Sequence, residues 1–305
     1  MNESTNPLWL ALMIGNSRLH WAAFQSSRLV HHWDTPHLDS DDLGSGAIAP
    51  SLSEPTLQFP NSFEAMPSSL RQTIRHLFAH SAQSANSLPV WIASVVPQQL
   101  ALWQSYPNAR PITLEQIPIQ GKYATLGIDR ALAAWGACRL WGAPVLVIDA
   151  GTALTFTGLD AQDQLVGGAI LLGLDMQGRS LHQFTANLPH VNFHPPFPLP
   201  NRWATETPEA IRSGILYSVL AGIRDFVDNW WNQFPDSAVV LTGGDASTLS
   251  RHLHDTSPHL AERIYLEPNL IFYGIQAIQA KTQQNPANSD HFNQINHQSL
   301  QNPRI

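Results

Sequence analysis

The chain has 305 residues, a formal charge of −7 and only 13% charged residues, so it carries no basic stripe able to follow a phosphate backbone and nucleic-acid binding is not expected. A hydrophobic content of 43% is ample for a sizeable core, as one large domain or two ordinary ones, and the single cysteine, Cys138, excludes an intrachain disulfide framework. No stretch approaches the roughly 18 apolar residues of a membrane span, and Met1 to Pro7 shows neither a cationic segment nor a cleavable apolar core, so a cytoplasmic protein without membrane attachment is expected.

Leu8 to Ile14 is an apolar run that predicts a strand; it enters a Gly15-Asn16-Ser17 turn and leaves through Arg18, Leu19 and His20 into a second apolar, aromatic run ending at Phe24. From Leu29 to about Ser69 the chain is rich in Pro, Ser, Asp and His without a sustained period, which predicts short strands and a long loop. His31, His32 and His37 match no metal-ligand spacing there, and Pro36 interrupts them. Leu70, Ile74 and Leu77 give Leu70 to Ser84 a helical spacing, and Val90 to Val96 reads as a buried strand ended by Pro97. A short helix over Gln98 to Tyr106 and an extended segment over Pro111 to Ile119 lead to Tyr123, whose phenol either bonds a bound amide or hydroxyl or lies half-buried under a loop.

The stretch from Gly127 to Thr155 organises the rest. Gly127-Ile128-Asp129-Arg130 opens an Ala-rich helical pattern running to Trp141, in which Cys138 reads as a small buried hydrophobe. Asp129 serves as a cap for a helix from Arg130 to Leu140, as a functional carboxylate, or as both. Val145 to Ile148 is continuous and β-branched, as a strand covered on both faces is, and it ends in Asp149-Ala150-Gly151-Thr152. Ala153 to Thr157 then resumes a strand pattern, so this turn sits in a hairpin, unlike a P-loop or Rossmann turn, where a helix follows the glycines. Gly151 permits close backbone approach, and the Thr152 hydroxyl with the N–H groups of the turn suits phosphate oxygens. Two strand-turn-strand loops of this kind, at Gly15 to Ser17 and at Asp149 to Thr152, point to phosphoryl transfer.

Downstream, Ser180 to Leu188 reads as a helix, with His182 and His190 structural. Pro195 to Pro200 is a Pro-rich turn. Thr207-Pro208-Glu209 is a helix start with Thr207 as N-cap and Pro208 at the first helical position, and Ala210 to Trp231 is a long helix. Val239 to Gly244 repeats the strand-to-glycine pattern, Leu270 to Ala280 is a closing helix, and from Thr282 the Gln/Asn-rich sequence predicts a disordered tail.

In this order the chain resembles the type III pantothenate kinases. The resemblance is carried by Ile14 to Leu19, Ala93 to Pro97, Leu126 to Arg130, Asp149 to Ala153, Gly167 to Ile170, Ser180 with Leu181, Thr185 to Pro189, Thr207 with Ser213 and Gly214, Leu241 to Gly244, and Pro268 to Leu270 with Gly274. It implies an α/β fold of two ribonuclease H-like domains of the actin-like ATPase superfamily, mixed sheets flanked by helices, over 8–126 and 127–281, with a tail at 282–305. The implied reaction is ATP-dependent phosphorylation of pantothenate to 4′-phosphopantothenate, the first step of coenzyme A biosynthesis, with Mg²⁺ arriving on ATP. On this resemblance Asp129 is the base, and Tyr123, Gly127, Ile128 and Arg130 bind pantothenate, the guanidinium taking its carboxylate. Met13, Ile14, Gly15, Asn16, Ser17, Arg18, Leu19, His20 and Thr152 face ATP. Asp149 holds a monovalent cation, potassium or ammonium, and Thr207 reaches the pantothenate pocket of the other subunit of a homodimer.

The chain departs from the family pattern where an Asp usually precedes the first glycine turn and a Lys follows it, for Met13 and His20 stand there. Met13 suits a core gap, and a mostly neutral His20 is a weaker phosphate partner than Lys. Leu172 likewise stands in the place of a family Pro. Two alternatives accompany this reading: another small-molecule kinase or phosphatase of the same superfamily, and a catalytically silent regulatory homologue, the latter suggested by Met13 and His20.

Overall fold

The computed structural model describes residues 7–38, 72, 88–103, 106, 108–193 and 197–284. The loop beyond residue 38, the helix expected over Leu70 to Ser84 except at Gln72, the start of the Pro195 to Pro200 turn and the tail from residue 285 lie outside them. The chain forms two compact units, one of the described residues within 1–14, 18–116 and 274–305, the other of 15–17 and 117–273.

In the first unit β1 (Leu8–Ile14), β2 (Leu19–Gln25), β3 (Arg28–Thr35), β4 (Val90–Ser94) and β5 (Ala109–Pro111) form one sheet in the order β3-β2-β1-β4-β5. The first three strands are an antiparallel meander, whereas β4 and β5 run parallel to β1. All seven residues of β1 are buried, as befits a central strand covered on both faces. Leu10, Leu12 and Ile14 pack with Leu19, Trp21, Val90 and Ile92, and Trp9 stacks on its cross-strand partner Phe24 with ring centroids 4.3 Å apart. Trp21 stacks on Trp33 and meets the edge of Trp103, which fills the same core.

Three expectations for the stretch from Val90 to Ile119 need correction. Pro97 does more than end a strand: β4 stops at Ser94 and Pro97 opens α1 (Pro97–Ala101), where its fixed φ and missing N–H suit a first helical turn. That helix is shorter than Gln98 to Tyr106, and Tyr106 instead anchors the loop by donating its hydroxyl to the Leu88 carbonyl at 2.8 Å, burial pushing the phenol up to about 12. Pro111 to Ile119 holds a 3₁₀ turn at Leu114–Gln116, closed by Gln116 Oε1 accepting from the Thr113 N–H, and so is not one extended segment.

The second unit contains α2 (Ile128–Trp141), β6 (Val145–Ala150), β7 (Ala153–Leu159), β8 (Leu165–Leu172), α3 (Leu174–Gln183), α4 (Thr207–Gln233), β9 (Ala238–Thr242), α5 (Ala246–Thr256), α6 (Pro258–Ala261) and β10 (Ile264–Leu266). Its sheet runs β10-β9-β6-β7-β8, with β6, β7 and β8 antiparallel and β9 and β10 parallel to β6. Numbered from its own first strand this is again the order 3-2-1-4-5, with the same strand directions as in the first unit. A ribonuclease H-like sheet occurring twice is the actin-like ATPase architecture, as the resemblance implied.

Period-two alternation divides the second sheet into two faces. Leu146, Ile148, Leu154, Phe156, Val239 and Leu241 join Ile215, Val219, Ile223 and Val227 of α4 in a single core. The opposite face presents Val147 and Asp149 of β6 and Thr155 and Thr157 of β7, and α2 packs on these strands. Residues 117–126 belong to this unit, tied in by Gln120 N–H to the Asp163 carbonyl and Leu165 N–H to the Gln120 carbonyl, both 2.9 Å. The units therefore part at 116/117, before the border expected at 126/127.

Helix α3 starts directly after Gly173 and ends at Gln183, so the helix expected over Ser180 to Leu188 is placed too late; beyond it Thr185 turns its hydroxyl onto the Leu181 carbonyl. Helix α7 (Leu270–Gln284) runs through residues 282–284, read in the sequence as tail, with the Thr282 hydroxyl bonding the Ile278 carbonyl and Ile275 and Ile278 buried. Its residues from Gly274 onward belong to the first unit, where Gln276 Nε2 donates to the Ser27 carbonyl.

One buried titratable group sets a pH dependence of stability. His252 on α5 is 1% exposed, neither ring nitrogen has a hydrogen-bond partner, and Asp255 Oδ2 at 3.7 Å is too far to supply one. Burial first, and then the Arg251 charge, hold its pKa below the ordinary 6.5. The unfolded chain therefore takes up a proton that the folded chain resists, so this contribution is fully present above about 6.5 and is lost as pH falls below it. Thermal melts from pH 8 to 5.5 are expected to show the melting temperature falling more steeply in the wild type than in His252→Leu. Parallel curves would show that His252 contributes nothing to the slope.

Candidate active site

Gly127, in an extended conformation, is the N-cap of α2, and Asp129 is the second helical residue. Asp129 is therefore not the cap expected from the sequence: its Oδ1 accepts from the adjacent Arg130 N–H at 2.8 Å, a group left unpaired in any first helical turn. The carboxylate is held by one oxygen at the positive end of the helix, and Oδ2 remains available to a ligand.

Arg130, next along, is 7% exposed and lies under the α2 face of the sheet. Its Nε donates to Thr157 Oγ1 at 3.0 Å, one terminal nitrogen to the Tyr123 hydroxyl at 2.9 Å, and the other to the Phe156 carbonyl at 3.1 Å. All three acceptors are neutral, and no ion pair to Arg130 occurs among the described residues. A guanidinium has five N–H donors, so one remains on each terminal nitrogen. A buried cation surrounded by neutral acceptors is costly and is stabilised by an incoming anion. Tyr123 accepts from Arg130, which leaves its own O–H to donate outward, and its side chain is 44% exposed. Ile128 lies at the first position of the helix, half-buried.

Asp149 is the last residue but one of β6, paired with Thr155 on one side and Thr242 on the other. The turn after β9 closes over it: Gly243 has φ +94°, and a Cβ there would stand 2.4 Å from Asp149 Oδ1 and 2.6 Å from the Ala150 carbonyl oxygen. Only glycine lets this backbone approach the carboxylate. Thr152, exposed at the hairpin tip, meets Ser17 hydroxyl to hydroxyl at 2.9 Å, and Gly15, Asn16 and Ser17 group with the second unit. The two turns singled out in the sequence are thus joined through their hydroxyls. Among the described residues no three His, Cys, Asp or Glu side chains gather into a metal cluster. Cys138 Sγ donates to Asp163 Oδ1 at 3.2 Å, and burial together with that carboxylate pushes the thiol up to about 12, so it is no nucleophile at neutral pH.

The remaining residues of the first turn lie in the first unit. Met13, Ile14 and Leu19 are buried at 3%, 0% and 0% exposure, so their side chains face the core. Arg18 and His20 are exposed enough to meet a ligand and share one carboxylate: Asp34 Oδ2 lies 3.2 Å from Arg18 and Oδ1 lies 2.8 Å from His20 Nδ1. Burial alone would raise Asp34, but these two partners outweigh it and hold its carboxyl below the ordinary 3.8. Asp34 escaped the sequence reading because it falls in the aperiodic stretch after Leu29; the signal was the hairpin register that sets it opposite His20.

Thr207 is exposed and is the first residue of α4, with Glu206 as the N-cap whose carbonyl accepts from Ala210 N–H at 2.9 Å. The expected frame, Thr207 as cap and Pro208 first, is one residue out: Glu206 takes the extended backbone and Pro208 is tolerated as the second helical residue. Thr207 lines a groove of about 640 Å³ with Gln177, Leu181, Thr205, Ile211 and Ile215. The loop before it is pinned to α4, since Arg202 lies 3.9 Å over the Tyr217 ring and Ser213 donates to the Arg202 carbonyl. The neighbouring Trp203 is 88% exposed.

Residues 9–229 match the family model described as type III pantothenate kinase. The chain is 48% identical over 275 residues to a type III pantothenate kinase of Nostoc sp. (strain PCC 7120), covering 89% of this chain and 94% of that one. It is 38% identical over 277 residues to a type III pantothenate kinase of Synechocystis sp. (strain PCC 6803), covering 91% and 92%. A third similar protein, the type III pantothenate kinase of Thermosynechococcus vestitus, is 37% identical over 281 residues, covering 91% and 94%.

Proposed function

The chain belongs to the type III pantothenate kinase family, and from that premise we propose how its residues divide the ATP-dependent phosphorylation of pantothenate to 4′-phosphopantothenate, the first step of coenzyme A biosynthesis. The observation that carries the assignment is the Asp129-Arg130 step at the start of α2, where a carboxylate with an available oxygen adjoins a buried guanidinium whose partners are all neutral. Pantothenate has the complementary groups, a primary hydroxyl to be phosphorylated and a carboxylate at its other end.

Asp129 orients that hydroxyl and accepts its proton. The transition state of phosphoryl transfer is loose, so the proton leaves late and a carboxylate is basic enough to receive it. The substrate carboxylate takes the two remaining N–H donors of Arg130 and the outward O–H of Tyr123, with Gly127 and Ile128 lining the approach. Ser17 and Thr152 offer hydroxyls, and the turn between β1 and β2 its main chain, to the phosphates of ATP, while Met13, Ile14 and Leu19, paired within the sheet and facing the core, hold that turn in place. Arg18 and His20, held by Asp34 in the first unit, are assigned to the nucleotide as positive or hydrogen-bonding partners. Mg²⁺ enters with the nucleotide.

Asp149 is assigned a singly charged cation on the family resemblance, and it fits as a donor because a carboxylate oxygen suits a hard ion and Gly243 leaves the space beside it uncrowded by a side chain. Potassium or ammonium bound there adds positive charge on the phosphate side. Turnover is expected to require potassium or ammonium, and Asp149→Ala to lose that stimulation together with most activity. Equal rates in sodium-only and potassium buffers would remove the cation from the scheme without touching the kinase assignment.

The enzyme acts in the cytoplasm as a homodimer, with Thr207 completing the partner's pantothenate pocket. The overall reading is tested by incubating the protein with ATP, Mg²⁺ and pantothenate and measuring 4′-phosphopantothenate by mass spectrometry. Turnover of other alcohols but not pantothenate would identify another kinase of the superfamily, and no turnover of any acceptor would identify a silent homologue.

A further inference from the structure

We propose that Thr157 is a positioning residue for the reaction: its hydroxyl fixes the Arg130 guanidinium so that the fork discriminates in favour of a substrate ending in a carboxylate. The inference rests on the reading that Arg130 meets that carboxylate.

Thr157 is a polar side chain at 1% exposure in the middle of β7, where its strand neighbours Phe156, Gly158 and Leu159 are buried and apolar. A buried hydroxyl without a partner is destabilising, and here the Arg130 Nε–H at 3.0 Å meets it. Nε is the hinge of the guanidinium plane. With Nε bound to Thr157, one terminal nitrogen on Tyr123 and the other on Phe156, rotation about the last side-chain bonds is removed and the two unused N–H groups have fixed directions.

The next strand is shaped to the same end. Gly168 of β8 pairs with Thr157, and a Cβ at that position would lie 2.4 Å from the Arg130 terminal nitrogen and 2.0 Å from the Phe156 oxygen it bonds. The guanidinium occupies space that any other residue would fill. Thr157 and Gly168 thus form a socket on the sheet, and Arg130 enters it from the helix above. A flexible side chain pays for ordering each time it binds; one locked in advance does not. The gain appears only with a ligand that uses both N–H groups, which is how the socket selects for a carboxylate rather than a hydroxyl.

The experiment compares pantothenate with pantothenol, which carries a hydroxymethyl group in place of the carboxylate, using Thr157→Val, Thr157→Ser and Arg130→Leu. Thr157→Val keeps the shape and removes the acceptor. It is expected to raise KM and the equilibrium Kd for pantothenate by about tenfold or more, the loss of a hydrogen bond to a charged group. Its kcat/KM for pantothenol should barely change, so the preference for pantothenate narrows by the same factor. Thr157→Ser should restore it. A purely structural Thr157 would instead affect both substrates equally, an outcome that overturns the inference. If Thr157→Val does not fold, Thr157→Ala is put through the same comparison. Arg130→Leu separates the layers: if it loses the preference while the Thr157 variants keep it, the positioning role is wrong and the carboxylate contact stands. If Arg130→Leu also keeps the preference, the carboxylate contact fails and the inference fails with it.

Discussion

Asp129→Asn should lower kcat at least ~10²-fold, the usual contribution of a positioned general base, while leaving the melting temperature within about a degree or two of wild type. The substitution is isosteric, and the Asn side-chain oxygen can still accept from the Arg130 N–H that Asp129 Oδ1 now holds at 2.8 Å. The start of α2 is therefore kept. What changes is the outward atom, where a lone-pair-bearing oxygen becomes an NH₂ that cannot receive the hydroxyl proton. The effect should lie in kcat rather than in the KM for ATP, because the nucleotide-side hydroxyls of Ser17 and Thr152 are untouched. A variant that keeps more than about a tenth of the wild-type rate would mean that Asp129 is not the base, since that is below the general-base contribution.

The parts of this chain legible in its sequence were those whose periodicity is undisturbed by neighbours. β1, β6 and β7 are continuous apolar or β-branched runs bounded by Gly turns, and the hairpin at Asp149 to Thr152 follows from a strand pattern on both sides of it. Helix ends were read less well, because they depend on backbone conformations that the letters only bias. Pro97 and Pro208 both sit in first turns of helices, where the same residue also serves to end a strand or follow a cap. α5 and β10 were not anticipated, since α5 mixes His, Ser and Thr into a helix held mainly by Leu249 and Leu253, and β10 is three residues long.

At the candidate site the residues on turns were visible and the residues supporting them were not. Gly127, Asp129, Asp149 and Thr152 stand at strand and helix ends, where a polar residue interrupts an apolar pattern. Thr157 looks in sequence like any β-branched strand residue, and only the arrival of Arg130 from a helix 27 positions earlier gives its hydroxyl a purpose. Asp34 is similar, since its role depends on strand register across β2 and β3. A residue that acts through another leaves no local pattern, because the contact that defines it is made by the fold.

The sharpest test of the proposed dimer is complementation between two inactive chains. Thr207 is exposed at the first position of α4, so Thr207→Arg should fold normally while placing a long cation in the groove it lines. Trp203 and Phe184, 88% and 79% exposed and close in sequence to groove residues Ala204 and Leu181, are large apolar side chains of the kind a second subunit covers. If Thr207 completes the partner's pocket, a mixed dimer of Asp129→Asn and Thr207→Arg chains has one site carrying both lesions. Its other site combines an intact Asp129 with an intact Thr207 from the partner. Free exchange at equal concentrations makes about half of all dimers mixed, each with one working site, so roughly a quarter of wild-type activity should return, as a two-fold interface permits. Each variant is first shown to be folded, inactive alone and able to exchange, for example by energy transfer between labelled chains. Recovery near a quarter supports the shared pocket. No recovery after demonstrated exchange would assign Thr207 to its own subunit's site or to none, leaving it only the first turn of α4.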